Sequence, residues 1–185
     1  MEEKISENRG NGIFKRLLNT RALARAGIIA ALYVVLSLAV FPVASGAIQF
    51  RPSEALCVLP LFFPEAIPAL FIGCMLSNLI TGCFVWDIFF GSAITLIAAI
   101  LTYIVGTIIK KNGLKTFAGG FFPVTLNAFF LPIIWYYCYG ELEYVYILQV
   151  AFLLISQSVS VYALGIPLYF AVKRLRGKGV KVLSD

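Results

Sequence analysis

A chain of 185 residues that is 61% hydrophobic and 13% charged lies far from the soluble range of about 45–50% apolar and 25% charged. That composition excludes a water-soluble domain built around one core. Fifteen Lys and Arg against nine Asp and Glu leave a formal net charge of +6, with no histidine anywhere, which removes His-ligated metals and His-dependent catalytic triads.

The first twelve residues are polar and read as a disordered cytosolic tail. The apolar run after them is too long for a secretory signal peptide. Six helices are expected beyond that tail. The first runs from about Ala22 to Phe41 and stops at Pro42, and the second is short and proline-bounded, from about Ser53 to Phe63. Pro64 to Pro68 form a tight break, after which a third helix continues to about Gly82. The fourth covers Asp87 to Ile109, the fifth Gly120 to Cys138 and the sixth Glu143 to Val172. A bilayer crossing takes about 20 residues of helix, so the second must be buried against its neighbours. The reading is an all-α integral membrane protein. It has a tail over residues 1–19, a six-helix domain over 20–173 and a basic tail over 174–185.

Charge placement gives that topology its orientation. With six crossings, both termini and the loops around Glu65 and Lys110 share a side. All the cations but Arg51 then fall on that side: Lys4 to Arg25 before the first helix and in its first turns, Lys110, Lys111 and Lys115 in one loop, and Lys173 to Lys181 at the end. The positive-inside rule makes it the cytoplasm. The basic residues flank membrane spans and form no separate domain, so nucleic acid is not an expected partner.

Polar groups that abut apolar sequence are the candidate site, because an ionisable group at membrane depth is costly and marks function by default. Gln49, Phe50, Arg51 and Glu54 lie between the first two helices. Asn78 sits about one turn from the outer end of the third, Trp86 and Asp87 open the fourth, and Asn127 lies within the fifth. A carboxylate can accept two parallel N–H bonds from a planar ligand while an aromatic stacks on its ring. The competing reading is an interfacial loop with a snorkelling Arg51 and a helix-start Glu54. The interfacial aromatic belt accounts for most of the outer tyrosines and for Trp86. Ala22, Ala26 and Ala30 recur every fourth residue, a small-residue stripe that lets another helix approach closely, within this chain or from a partner.

Other chemistry is thinly supplied. Cys57, Cys74, Cys83 and Cys138 lack the paired spacing of zinc sites, and no phosphate loop of the G-x-x-x-x-G-K-[ST] type occurs. No cofactor or metal is expected. Gly119-Gly120 reads as a break before the fifth helix. Asn127, Ser156, Gln157, Ser158 and Ser160 are explained by helix–helix hydrogen bonding at least as well as by a transport path. An enzyme using Glu54 and Asp87 as an acid/base pair stays open at this point.

The stretch Gly46-Ala47-Ile48-Gln49-Phe50-Arg51-Pro52-Ser53-Glu54-Ala55-Leu56 resembles the queuosine-precursor transporter family, QueT. So do Phe63-Pro64-Glu65-Ala66-Ile67-Pro68, Phe71-Ile72-Gly73-Cys74 and Trp86-Asp87-Ile88-Phe89-Phe90-Gly91-Ser92, and more loosely Asn127 and Gly165-Ile166-Pro167-Leu168. The resemblance implies the substrate-binding S component of an energy-coupling factor (ECF) transporter in a bacterial cell membrane. Such a component works with a transmembrane T component and two cytoplasmic ATPases. The implied ligand is a 7-deazaguanine such as preQ0 or preQ1, with thiamine or riboflavin as rivals. Glu54 would take the guanine-like N–H edge, with Gln49, Asn78, Asp87 and Asn127 as further polar contacts. Trp86 or Phe50 would stack, and Arg51 would orient a carboxylate. The Ala22/Ala26/Ala30 stripe would dock on the T component, and Ser45-Gly46-Ala47 would serve as the hinge of a closing outer loop.

Overall fold

The computed structural model describes residues 19–44, 50–140 and 145–178, and these are helical throughout apart from short connections. Helix α1 (Thr20–Ala44) starts where the Asn19 side chain accepts from the Arg21 N–H at 3.3 Å, an N-cap-like contact. It continues through Pro42, where the sequence suggested an end.

Helix α2 (Pro52–Leu61) is wound as a 3₁₀ helix, with every residue from Ser53 to Leu61 buried. Two prolines favour this winding, Pro52 at its start and Pro60 inside. The tighter helix rises about 2.0 Å per residue against 1.5 Å for an α-helix, so ten residues reach about 20 Å instead of 15 Å. Neighbouring helices approach it through glycines. A Cβ on Gly106 would lie 3.1 Å from the Leu61 backbone, and one on Gly165 would lie 2.9 Å from Val58 Cγ1.

Helix α3 (Ala66–Ile80) packs on α1 where Gly73 meets Tyr33, so closely that a Cβ there would lie 2.8 Å from Tyr33 Cβ. Helix α4 (Asp87–Ile108) opens with a widened π-type turn over Asp87–Gly91. Helix α5 (Asn112–Tyr139) runs straight through Gly119-Gly120 and is longer at its start than the sequence suggested. That glycine pair is a packing feature: added Cβ atoms would strike Leu61 at 2.9 Å and Tyr162 at 2.7 Å. Its consequence is a basic loop shorter than expected, with Lys115 already on the helix. Helix α6 (Tyr146–Gly177) carries a second π-type stretch at Val159–Leu164. Such bulges recur at functional sites.

Helices α1, α4, α5 and α6 are long and apolar enough to cross a membrane, whereas α2 and α3 are shorter apolar helices. The main core joins Ile29 and Tyr33 of α1 to Leu56, Cys57 and Leu59 of α2 and Leu70 and Cys74 of α3. A second cluster, Ile94, Ala128, Leu131 and Leu153, ties α4, α5 and α6 together. Many large apolar side chains remain outward-facing, among them Leu23, Ile28, Val35, Phe89, Ile97 and Ile147. Such a surface suits lipid, where apolar side chains need no cover.

Candidate functional site

Glu54 is the centre of the interior. It lies in the first turn of α2, 2% exposed, and three helices present donors to it. The Tyr33 hydroxyl of α1 donates to Oε1 at 2.7 Å, the Cys57 thiol to Oε2 at 3.2 Å, and the Asn127 amide of α5 to Oε2 at 3.5 Å. A carboxylate accepts only, and every one of these partners donates, so its lone pairs are matched despite burial. The Asn127 bond is long, which leaves that amide the easiest of the three to exchange for a ligand.

The depth of this group follows from α1. Tyr33 stands eleven residues before Ala44 and thirteen after Thr20, about 16 Å and 20 Å along the helix at 1.5 Å per residue. Glu54 therefore sits near the middle of the bundle, and not at its rim as its place between two apolar runs suggests. At the other end of α2, Glu65 Oε1 pairs with Arg25 Nε at 2.6 Å, both nearly buried, and the Arg25 guanidinium lies 4.9 Å over the Phe63 ring.

A second polar group gathers at the start of α4. Asn78 donates to the Asp87 backbone carbonyl at 3.2 Å and reaches Cys74 Sγ at 3.7 Å. The Trp135 indole of α5 donates to Asp87 Oδ1 at 2.9 Å. Arg51 is half-buried and lines a small cavity of about 80 Å³ with Ser37, Phe41, Ser77, Asn78, Thr81 and Cys83. Its charge attracts that of Glu54, although no ion pair within contact distance joins the two. Cavities that hold small ligands run to about 300–1,000 Å³. The cavity beside Arg51 is by itself too small for a bicyclic ligand, and a ligand that reaches Glu54 must displace the donors around it.

The residues expected from sequence thus divide. Glu54 and Asn127 meet directly, and Asn78 and Asp87 meet beside them, with Arg51 and Asn78 sharing the small cavity. Phe50 is half-buried just before α2. Trp86 is about half exposed and stacks on Phe90 at 5.8 Å, and makes no contact with Glu54. Gln49, the Ser45-Gly46-Ala47 hinge and Glu141 and Glu143 lie outside the described residues. The alanine stripe faces its own chain: Ala22 is buried, and Ala26 and Ala30 pack against the main core. The open flank of α1 instead carries Ala24, Gly27 and Ala31 among its larger apolar residues.

Tyr33, Cys57 and Trp135 escaped the sequence reading because each looks like ordinary apolar or belt material. A signal for Tyr33 existed. It continues the inward face of Ala22, Ala26 and Ile29 by one more helical step, where a phenol with a buried hydroxyl needs a partner.

A polytopic helical bundle with a donor-matched carboxylate at mid-depth is a multi-pass membrane protein whose interior is built around a polar site. Transport fits that architecture, and the family model for the QueT transporter matches residues 23–174. The chain belongs to the QueT transporter family. It is 38% identical over 81 residues to a Lactococcus lactis subsp. cremoris (strain MG1363) protein named queuosine precursor transporter QueT. That alignment covers 42% of this chain and 47% of the relative, so the match spans about half the length of each. No solved structure gives a significant match.

Proposed function

We propose that this chain is the substrate-binding S component of an ECF-type importer and that it captures a 7-deazaguanine queuosine precursor, preQ0 or preQ1. The observation that carries the reading is Glu54: a buried carboxylate at mid-bundle, held only by donors, in a member of this family. A guanine-like edge offers a ring N–H beside an exocyclic amine, two parallel donors that match the two oxygens Tyr33, Cys57 and Asn127 now occupy. Asn78, Asp87, Arg51 and Gln49 supply the polar surroundings, and Phe50 or Trp86 the stacking surface.

Six crossings with cytoplasmic termini belong to the same proposal. Glu54 bonds to the middle of α1 and Glu65 to its first turns, so α2 runs antiparallel to α1 and returns the chain to the basic side. Helix α3 then leads away from it. The two short helices serve as crossings because they are walled in by the longer ones. Energy would come from a T component and two ATPases. Docking would use α1, through Ala22, Ala26 and Ala30 if the bundle loosens, or through the already open flank at Ala24, Gly27 and Ala31.

Calorimetric titration of the purified chain in detergent tests the ligand. Saturable binding of preQ0 or preQ1, weakened about tenfold or more in Glu54→Gln, is expected, since a hydrogen bond to a charged group contributes about 1.5–3 kcal/mol. Binding of thiamine or riboflavin in place of either deazaguanine would sink the assignment.

A further inference from the structure

Gln157 is 1% exposed, and its carboxamide has no hydrogen-bond partner, the Oε1 atom being wholly enclosed. Buried polar side chains are nearly always satisfied, and one left unmade costs the full desolvation of the group. From the sequence, helix–helix hydrogen bonding explains Gln157 at least as well as a transport path does, yet no such bond is made. A helix this apolar would be more stable with leucine there.

Its surroundings explain what the amide is for. Val150, Leu153, Gln157, Val161 and Gly165 lie along the buried side of α6, with Gln149, Ser156 and Ser160 buried beside them. Leu153 packs with Ala128, the neighbour of Asn127. Gly165 abuts Ala55, the neighbour of Glu54, with its added Cβ 3.3 Å from the Ala55 carbonyl oxygen. Gln157 is thus bracketed on α6 by residues that pack on the chain neighbours of Asn127 and Glu54. It lies about 6 Å from Leu153 along the axis. The π-type stretch begins two residues later and re-aims the face below it.

We propose that Gln157 is a ligand contact on the wall facing Glu54, and that its carboxamide selects a ligand carrying an adjacent donor and acceptor on the edge away from the carboxylate. An amide presents one N–H and one carbonyl side by side. A free 7-deazaguanine base matches it along one edge, where the N–H of the five-membered ring lies beside an acceptor nitrogen of the six-membered ring. A nucleoside lacks that N–H, so the contact favours the free base. The inference rests on the proposed ligand class.

The test compares wild type, Glu54→Gln and Gln157→Leu for preQ1 affinity by calorimetry and for melting temperature without ligand. Gln157→Leu should bind preQ1 at least tenfold more weakly while melting at the same temperature or higher, because it removes an unsatisfied buried group. A helix-bonding role predicts the reverse, a lower melting temperature with affinity kept, and that result overturns the inference. So does unchanged affinity in Gln157→Leu when Glu54→Gln is weakened, which leaves the ligand assignment standing. Failure of wild type to bind any deazaguanine overturns both.

Discussion

The Arg25–Glu65 pair offers the sharpest test of the packing. Its atoms approach to 2.6 Å with side chains only 10% and 4% exposed, at the wall of a cavity of about 330 Å³, so each charge is largely removed from bulk water. Replacing one partner strands the other, and breaking a buried pair costs about 3–5 kcal/mol. Arg25→Gln should be the worse of the two. It leaves the carboxylate with a neutral amide N–H in place of a cation and also removes the cation from the Phe63 face, whereas Glu65→Gln leaves Arg25 with an amide oxygen and the ring. For a chain of this size about 2–4 °C is lost per kcal/mol, so single variants should melt about 6–20 °C lower in detergent. The double variant Arg25→Gln/Glu65→Gln should recover much of that loss, because two neutral amides can bond to each other. The coupling should sit at the upper end of about 0.5–3 kcal/mol and hardly change with salt, since a pair out of water is weakly screened. Additive losses, or a coupling that disappears at high salt, would refute the burial argument.

Tyr33→Phe removes the shortest donor to Glu54 and should lower stability by about 1.5–3 kcal/mol; an unchanged denaturation midpoint would show that the hydroxyl contributes nothing. Cysteine accessibility separates interior from entrance. With Cys138→Ala in place, a water-soluble maleimide should modify the half-buried Cys83 beside Arg51 in intact cells and spare the buried Cys57 and Cys74. Labelling of Cys83 only after permeabilisation would reverse the proposed orientation.

Class and most of the helix plan are legible in composition, because a chain this apolar has few ways to satisfy its backbone in lipid other than as helices. Glu54, Asp87 and Asn78 stand out in the sequence for the same reason: charge and amide groups against apolar runs are conspicuous. Boundaries read less well where one residue type serves two purposes. Gly119-Gly120 looks like a break and is in fact the groove that admits Leu61 and Tyr162. Ala22, Ala26 and Ala30 look like an open docking stripe and in this conformation pack inward. Pro52 and Pro60 mark a short helix, but not that it would be 3₁₀.

By itself, then, the sequence determined a polytopic helical membrane protein with a basic face and a handful of costly polar residues, since those follow from composition and local pattern. The depth of Glu54, its three donors and the solitary Gln157 were decided only by the tertiary structure. A hydrogen bond between α1 and α2, or between α2 and a residue of α5 73 positions away, depends on how helices stack. Local periodicity carries no information about that.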